Sequence, residues 1–304
     1  MELIGIAAVI PFVTYLLKPD SISNIEFLSK YIDLKEISLK KNIIFIFCLL
    51  LFLIFLIKNF TIIYTNKLSY KFIYSIRSKL YKDILKKILH QDYLFFVQKG
   101  MSKIFNVTFS EVNNYAANII RPIINFITEF LISFTIILLI IASGFINELI
   151  LIIPLIIIAA LILKRINKSI KDWSKSRIFN NENIFNLNFS LVNGIKEILI
   201  HGKIKKILDN FNKSLNSLEK IDAGNAMVVT IPKVLLEQFI ILVLISIILS
   251  MHYVGKSSDS IIITLSFYLA ASYRLVPSIN KIFVSYQQIK FGKPSLPLIN
   301  EYYN

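Results

Sequence analysis

Apolar residues along this chain form long runs separated by mixed polar stretches. The clearest run, Ile43–Ile57, contains only Ile, Leu, Phe and one Cys, which is typical of most of a membrane span. No Gly or Pro occurs from Ser21 to Lys99, so the usual helix terminators are absent after this span. Apolar residues then continue at helical spacing as far as residue 88; they include Ile73, Ile76, Leu80, Ile84 and Ile88.

This pattern predicts a helix much longer than a membrane is thick. From Ile43 to about His90, a helix that rises about 1.5 Å per residue is roughly 72 Å long, whereas the hydrocarbon core measures about 30 Å. The helix must therefore leave the bilayer and continue for about 40 Å on one side. An ordinary channel or carrier does not need such a rod, but a machine that reaches a partner below the membrane does.

Further apolar runs predict five more spans. These runs are Leu3–Leu17, Arg121–Ser143, Leu149–Leu163, Val234–Met251 and Ser260–Lys290. Between Leu155 and Asn193 there is again no Gly or Pro, which predicts a second long rod. A turn is expected at Gly194–Gly202, followed by a helix from about Lys205. The fold class is thus an all-α membrane protein with six transmembrane helices and two long cytoplasmic helical hairpins.

The charge of the chain supports this topology. The 304 residues are 55% hydrophobic and 17% charged, with a net charge of +15. Of the 34 Lys and Arg residues, 28 lie in the predicted inner segments, as the positive-inside rule requires. Nucleic acid is the weaker explanation of the basic charge, because no basic run accompanies a soluble module. We expect a multi-pass protein of the cytoplasmic (inner) membrane with both ends in the cytoplasm.

Several motifs resemble one family of membrane proteins. They are GIAAVIPFVTYLLKPD (Gly5–Asp20), HQDYLFF (His90–Phe96), FSEVNNY (Phe109–Tyr115), LVNGIKEILIHG (Leu191–Gly202), IPKVLLEQ (Ile231–Gln238) and AASYRLVPSIN (Ala270–Asn280). Together they resemble the transmembrane domain of ABC exporters with six helices and long intracellular helices, most closely the flippases of lipid-linked oligosaccharides. The resemblance implies a dimer of two such halves, alternating access, and nucleotide-binding partners that hold ATP and Mg²⁺.

The sequence departs from that family at both ends. The first helix is short, and no G-x-x-x-x-G-K-[ST] phosphate loop occurs in the sequence. We therefore expect a transmembrane domain over residues 1–290 and the start of a linker toward a missing nucleotide-binding domain over residues 291–304. On this basis the chain is not itself an enzyme: the ATPase is a separate polypeptide, or the chain is a fragment. No catalytic, cofactor-binding or metal-binding residue is predicted within it.

Polar residues inside the predicted spans are the candidates for contact with a cargo. Arg121, Asn125, Thr128 and Glu129 fall within about 100° of one helical face. They either line a wet cavity, with Arg121 meeting an anionic head group, or form a packed stripe in which Glu129 pairs with an arginine.

The sixth span carries a second polar face, which contains Arg274 and Ser278 and continues through Lys281 and Ser285. Arg274 is deep enough to need a carboxylate or a phosphate, and its planar guanidinium suits either. It is the first candidate for contact with a lipid pyrophosphate. The alternative is an ion pair with Glu129 or with Glu237, which is also a candidate cavity residue.

The two predicted inner turns are candidates for contact with an ATPase. The first presents Tyr93, Leu94, Phe95 and Phe96, and the second contains Lys196 and Glu197. By resemblance they correspond to the coupling regions that dock on nucleotide-binding domains. The alternative for Phe95 and Phe96 is that they close the tip of the hairpin.

Three functions remain open from the sequence. The first is the membrane half of an ATP-driven flippase for a lipid-linked oligosaccharide or a similar amphipathic cargo. The second is a subunit of a peptide or drug exporter. The third is a non-functional remnant or membrane scaffold that lacks its ATPase.

Overall fold

The structure is a computed structural model that describes residues 40–142, 153–255 and 258–303. Within these ranges all regular structure is helical. The first predicted span, Leu3–Leu17, lies outside the described residues, and so does the beginning of the fourth.

Long helices dominate the described chain. The α-helices in chain order are α1 Lys40–Leu89, α2 Tyr93–Lys99, α3 Met101–Phe105, α4 Val112–Tyr115, α5 Arg121–Ala142, α6 Ile153–Asn193, α7 Ile195–Ile200, α8 Ile204–Tyr253, α9 Ser258–Gly292 and α10 Ser295–Tyr303. Two π-helical segments, Asn106–Glu111 and Ala116–Ile120, join α3, α4 and α5 into one continuous path. Such wider turns arise where a helix must absorb an extra residue.

The predicted rods are confirmed. Helix α1 contains 50 residues and α6 contains 41, which correspond to about 75 Å and about 62 Å at 1.5 Å per residue. Helix α8 also contains 50 residues and runs through Pro232 without a break. Among the described residues, three helical stretches are long and apolar enough to cross a membrane: Cys48–Leu89, Met101–Leu138 and Ile204–Tyr253. They overlap the second and third predicted spans and contain the fifth.

The connections are more helical than the sequence suggests. The expected turn at Gly194–Gly202 contains the short helix α7, and the first inner turn contains α2. The chain breaks after Gly292, as its Gly and Pro residues indicate, but it resumes as α10. Pro297 is the third residue of α10, where a proline is tolerated because that backbone N–H has no partner within the helix.

The described chain divides into two compact units. Unit 1 takes the described residues of 1–68, 129–155 and 235–279, and unit 2 takes those of 69–128, 156–234 and 280–304. Helices α1, α5, α6, α8 and α9 each contribute residues to both units. In unit 1, Ile247 and Met251 of α8 are buried against Ile261 and Leu265 of α9.

Unit 2 contains larger clusters of buried apolar residues. One cluster includes Ile84, Ile88 and Ile299, so positions predicted from helical spacing are buried as expected. A second cluster packs around Ile170, with Trp173 at its side. At Gly224 a Cβ atom would lie 2.9 Å from the Trp173 ring, so the close approach of α6 and α8 requires glycine there.

Candidate functional site

The four polar residues that the sequence predicts on one face of the third span differ in exposure. Arg121, Asn125 and Thr128 are exposed, whereas Glu129 is 5% exposed. The Arg121 guanidinium lies over the Tyr70 ring, 5.5 Å from its centroid. Of these four residues, Glu129 is therefore the one whose side chain is enclosed by the protein, and the adjacent Thr128 is not.

Glu129 and Arg274 form an ion pair in unit 1. Arg274 Nη2 lies 3.5 Å from Glu129 Oε2, and the side chains are 17% and 7% exposed respectively. This is one of the two arrangements that the sequence left open for Arg274. Ser278, one turn further along α9, is fully buried, while Glu237 on α8 is exposed.

The four aromatic and apolar residues predicted to dock on a partner divide into two pairs. Phe95 and Phe96 are half-buried and turn into the cluster that contains Ile84. The Phe95 ring packs edge-on against Phe96 at 5.7 Å and against Tyr302 at 6.0 Å between centroids. Tyr93 and Leu94, by contrast, are 83% and 63% exposed. Phe95 and Phe96 thus close the tip, and Tyr93 and Leu94 are accessible to a partner.

The second tip is the helix α7. Lys196 and Glu197 are exposed on it, as are Leu199 and Ile200. The sequence predicts a role for the charged pair, and Leu199 and Ile200 add an exposed apolar surface beside it. Both tips of unit 2 therefore carry large side chains in water, which is typical of binding surfaces.

A buried polar network in unit 2 was missed by the sequence analysis. Glu111, at the end of a π-helical segment, is fully buried and receives two hydrogen bonds from Arg177 of α6, at 3.0 and 3.3 Å. Ser295 of α10 donates to Glu111 Oε2 at 2.5 Å and accepts a hydrogen bond from Asn114 at 2.6 Å. The Glu111 charge is thus balanced by Arg177 and by a hydroxyl, as a buried carboxylate requires.

One sequence signal could have identified Glu111. It is the one charged residue between Ile104 and Ile120, in a stretch that is otherwise apolar or neutral. A lone carboxylate in such a stretch is buried only if it has a partner. The partner, however, is 66 positions away in the chain, so no local spacing rule points to Arg177.

Charged residues also hold the end of α10. Lys99 forms a hydrogen-bonded ion pair with Glu301, and the Lys103 ammonium is 3.7 Å from the same carboxylate. The hydrogen bond from Lys99 lowers the pKa of Glu301 below its usual range. In the adjacent residue, Tyr302, burial of the phenol raises its pKa to about 12. Residues 295–303 are consequently part of the packed structure of unit 2.

Comparison with known proteins agrees with this architecture. No family model matches the sequence. Among solved structures, the chain is similar to a bacterial Atm1-family ABC exporter with ATP bound, with a TM-score of 0.69 and 10% sequence identity. The match covers 99% of this chain and 52% of that one, so this chain spans about half the length of its structural neighbour. The fold predicted from the sequence, that of an ABC exporter transmembrane domain, is confirmed.

Proposed function

We propose that this chain is the membrane-spanning half of an ATP-driven exporter of amphipathic cargo. Its fold and the long rods α1, α6 and α8 support this function, because rods that extend far beyond a bilayer suit a protein driven from outside the membrane. Two such halves work together, and ATP and Mg²⁺ bind on a nucleotide-binding partner. The same rods supply residues to both units.

The two tips, α2 and α7, are the proposed contacts with the nucleotide-binding partner. Tyr93 and Leu94 are exposed at the first tip, beside a buried core that holds α2 rigidly. Rigid, exposed aromatic residues are effective anchors at protein interfaces. At the second tip, Lys196 and Glu197 supply charges around the apolar residues of α7.

A paired substitution tests this coupling. In Tyr93→Ala/Leu94→Ala, we expect at least a tenfold loss of affinity for the nucleotide-binding partner, since anchor residues contribute about 2 kcal/mol or more each. Co-purification and ATP hydrolysis by the complex measure this loss. Tyr81→Ala/Leu85→Ala is the matched control, because these residues of α1 are of the same types and are also exposed. Equal effects of the two pairs would rule out a specific role for α2.

The proposed cargo is a lipid-linked oligosaccharide, moved by alternating access. Support comes from the sequence resemblance and from Arg274, whose guanidinium suits a pyrophosphate group. Its distance of 3.5 Å from Glu129 is long for a charge-assisted hydrogen bond, so an incoming phosphate can form a shorter contact with the guanidinium than this carboxylate does. Arg121, Asn125, Glu237 and Ser278 are the other proposed cargo residues.

A second candidate function is export of peptides or hydrophobic drugs. One observation favours it: the charge of Arg274 is already balanced by Glu129 within unit 1, which leaves less positive potential for an anionic cargo. A remnant or scaffold without an ATPase is the third candidate, and a failure of any cargo to move would favour it.

Transport by the chain together with its nucleotide-binding partner distinguishes these functions. In proteoliposomes we expect ATP-dependent movement of a radiolabelled pyrophosphate-linked lipid, and we expect Arg274→Ala to reduce it by tenfold or more. Lys67→Ala is the control, because Lys67 is an exposed cation of α1. Unchanged lipid movement in Arg274→Ala would remove the proposed role of this arginine. Movement of hydrophobic peptides but not of the lipid would favour the second function.

A further inference from the structure

Unit 2 contains a cavity of about 850 Å³ that is separate from the cargo residues and from the tips. Its walls come from α6, from the end of α9 and from α10 with the residues that precede it. Four lysines line it: Lys171 and Lys175 of α6, Lys290 of α9, and Lys293 just after α9. A volume of this size accommodates a small molecule or the head group of a lipid.

All charged side chains that the described residues contribute to the lining of this cavity are positive. Among the described residues that line it, none is acidic. The neighbouring carboxylate of Glu111 is engaged by Arg177, on the same helix as Lys175, and does not line the cavity. Four ammonium groups around one concave surface repel one another, and a concave surface concentrates their field. An anion bound among them relieves that repulsion.

The spacing of the lysines allows them to act together. Lys171 and Lys175 are one helical turn apart on α6 and so project from one side of it, and Lys290 and Lys293 line the same cavity at the end of α9 and just after it. Lys290 is half-buried, and its ammonium lies 4.9 Å from the centroid of the Tyr286 ring. Lys290 is therefore held in place, and the more exposed lysines can adjust around a ligand.

The rest of the cavity is apolar. Ile178, Leu296 and Leu298 contribute to its walls, together with Pro294 and Pro297. A ligand that carries only charge leaves these surfaces in contact with water, whereas a ligand with an apolar portion covers them. The lining thus suits an amphipathic anion better than a simple inorganic one.

We propose that this cavity, defined by Lys171, Lys175, Lys290 and Lys293, is a binding site for a phosphate-bearing ligand with an apolar portion. The phosphate comes either from the head group of an anionic lipid or from a soluble phosphate compound. The site does not depend on the exporter function. Because α10 forms one wall and also carries Ser295 of the buried network, an occupied cavity stabilises the docked position of α10.

Binding to the full chain in an uncharged detergent tests the proposal. Isothermal titration with dihexanoyl phosphatidylglycerol examines the lipid source, and titration with phenyl phosphate, a soluble phosphate that carries an apolar ring, examines the soluble source. Dihexanoyl phosphatidylcholine has the same acyl chains without a net charge. We expect saturable binding of at least one of the two anions and binding of phosphatidylcholine at least tenfold weaker than that of phosphatidylglycerol.

Charge substitutions then locate the site. We expect Lys171→Gln/Lys175→Gln to weaken anion binding by tenfold or more, and Lys171→Arg/Lys175→Arg to retain it. The control is Lys82→Gln/Lys86→Gln, which removes the same charge at the same spacing from exposed positions of α1. The thermal midpoint without ligand verifies that each variant is folded, and a rise in that midpoint with ligand is a second measure of binding.

Each outcome decides one point. Saturable binding of phosphatidylglycerol alone identifies a lipid head group as the source, and binding of phenyl phosphate alone identifies a soluble phosphate compound. Binding of both identifies the phosphate with its apolar portion as the recognised group. Equal weakening in the cavity variant and in the Lys82/Lys86 control would overturn the proposal, because the binding would then reflect overall charge. Absence of saturable binding by both anions would also overturn it.

Discussion

Each unit of this protein contains a buried glutamate paired with an arginine, and the two pairs differ. In unit 2, Arg177 contacts both oxygens of the fully buried Glu111, at 3.0 and 3.3 Å. In unit 1, Arg274 approaches Glu129 at 3.5 Å and keeps 17% of its side chain exposed. The first pair also receives a hydrogen bond from Ser295, at 2.5 Å.

The difference in geometry indicates different roles for the two glutamate–arginine pairs. A buried pair that is bidentate and supported by further hydrogen bonds fixes the positions of the elements that carry it. At 3.5 Å the contact between Arg274 and Glu129 is longer than a usual charge-assisted hydrogen bond, so this contact constrains its two helices less than the bidentate pair does. We therefore interpret Glu111–Arg177 as structural and Glu129–Arg274 as adjustable during function.

The largest expected effect comes from breaking the pair in unit 2. Glu111→Ala leaves Arg177 buried without its carboxylate, which costs about 3–5 kcal/mol in the free energy of unfolding. Thermal and urea denaturation of the purified chain measure this loss. Glu111→Met/Arg177→Met removes both charges and should restore most of the stability. A loss below about 1 kcal/mol in Glu111→Ala would contradict the structural role.

Breaking the pair in unit 1 should cost less stability. In Glu129→Ala we expect a loss of about 1–3 kcal/mol, because the 3.5 Å contact with Arg274 is longer than a usual charge-assisted hydrogen bond. The effect on ATP-dependent transport should nevertheless exceed that of any substitution at Glu111 that leaves the chain folded. If Glu129→Ala destabilises the chain as much as Glu111→Ala, the distinction between the two pairs is wrong.

Ser295→Ala separates the contribution of α10 from that of the pair itself. The substitution removes one hydrogen bond to Glu111 and leaves the Asn114 amide without its acceptor, so we expect a loss of about 1–2 kcal/mol. Denaturation of the full chain again provides the measurement. Ser190→Ala, at an exposed position of α6, should change stability by less than about 0.5 kcal/mol.

The smallest expected effect is a pH dependence at the end of α10. The pKa of Glu301 is lowered in the folded chain, so its ion pair with Lys99 contributes stability above the unfolded pKa of about 4.3. That contribution is lost as the pH falls through the lower folded pKa. Because both side chains are about one-third exposed, the effect is below about 1 kcal/mol.

Hydrogen exchange of the amides in residues 295–303 measures this effect. Glu301→Gln lacks the titrating carboxylate, so its exchange at neutral pH should resemble that of the original chain at low pH, after correction for the intrinsic rates. Identical pH profiles of the two proteins would exclude a contribution from Glu301.

The rods were predictable because their signal is local and continuous. No Gly or Pro occurs between Ser21 and Lys99 or between Leu155 and Asn193. The helical pattern in these ranges therefore contains no residue that usually ends a helix. The burial of Ile73, Ile84 and Ile88 follows from the same periodicity. Local rules succeed here because the missing terminators and the spacing of these isoleucines both lie within a single helix.

The missed features depend on contacts between distant parts of the chain. Gly292, Pro294 and Pro297 indicate a break, yet α10 forms because Ser295, Ile299 and Tyr302 are buried on one of its faces. The pairing of Glu111 with Arg177 follows from packing and not from spacing. For Arg274, the sequence left a carboxylate and a phosphate as alternative partners, and the packing of α5 and α9 provides the carboxylate.

The contact between Trp173 and Gly224 has a practical consequence. The chain contains one tryptophan, and its ring lies where α6 passes closest to a glycine of α8. Fluorescence emission from this residue depends on how tightly the ring is enclosed, so any sliding of the two rods would change its wavelength and quenching. The protein thus carries an intrinsic optical probe at a close contact between α6 and α8, with no label required.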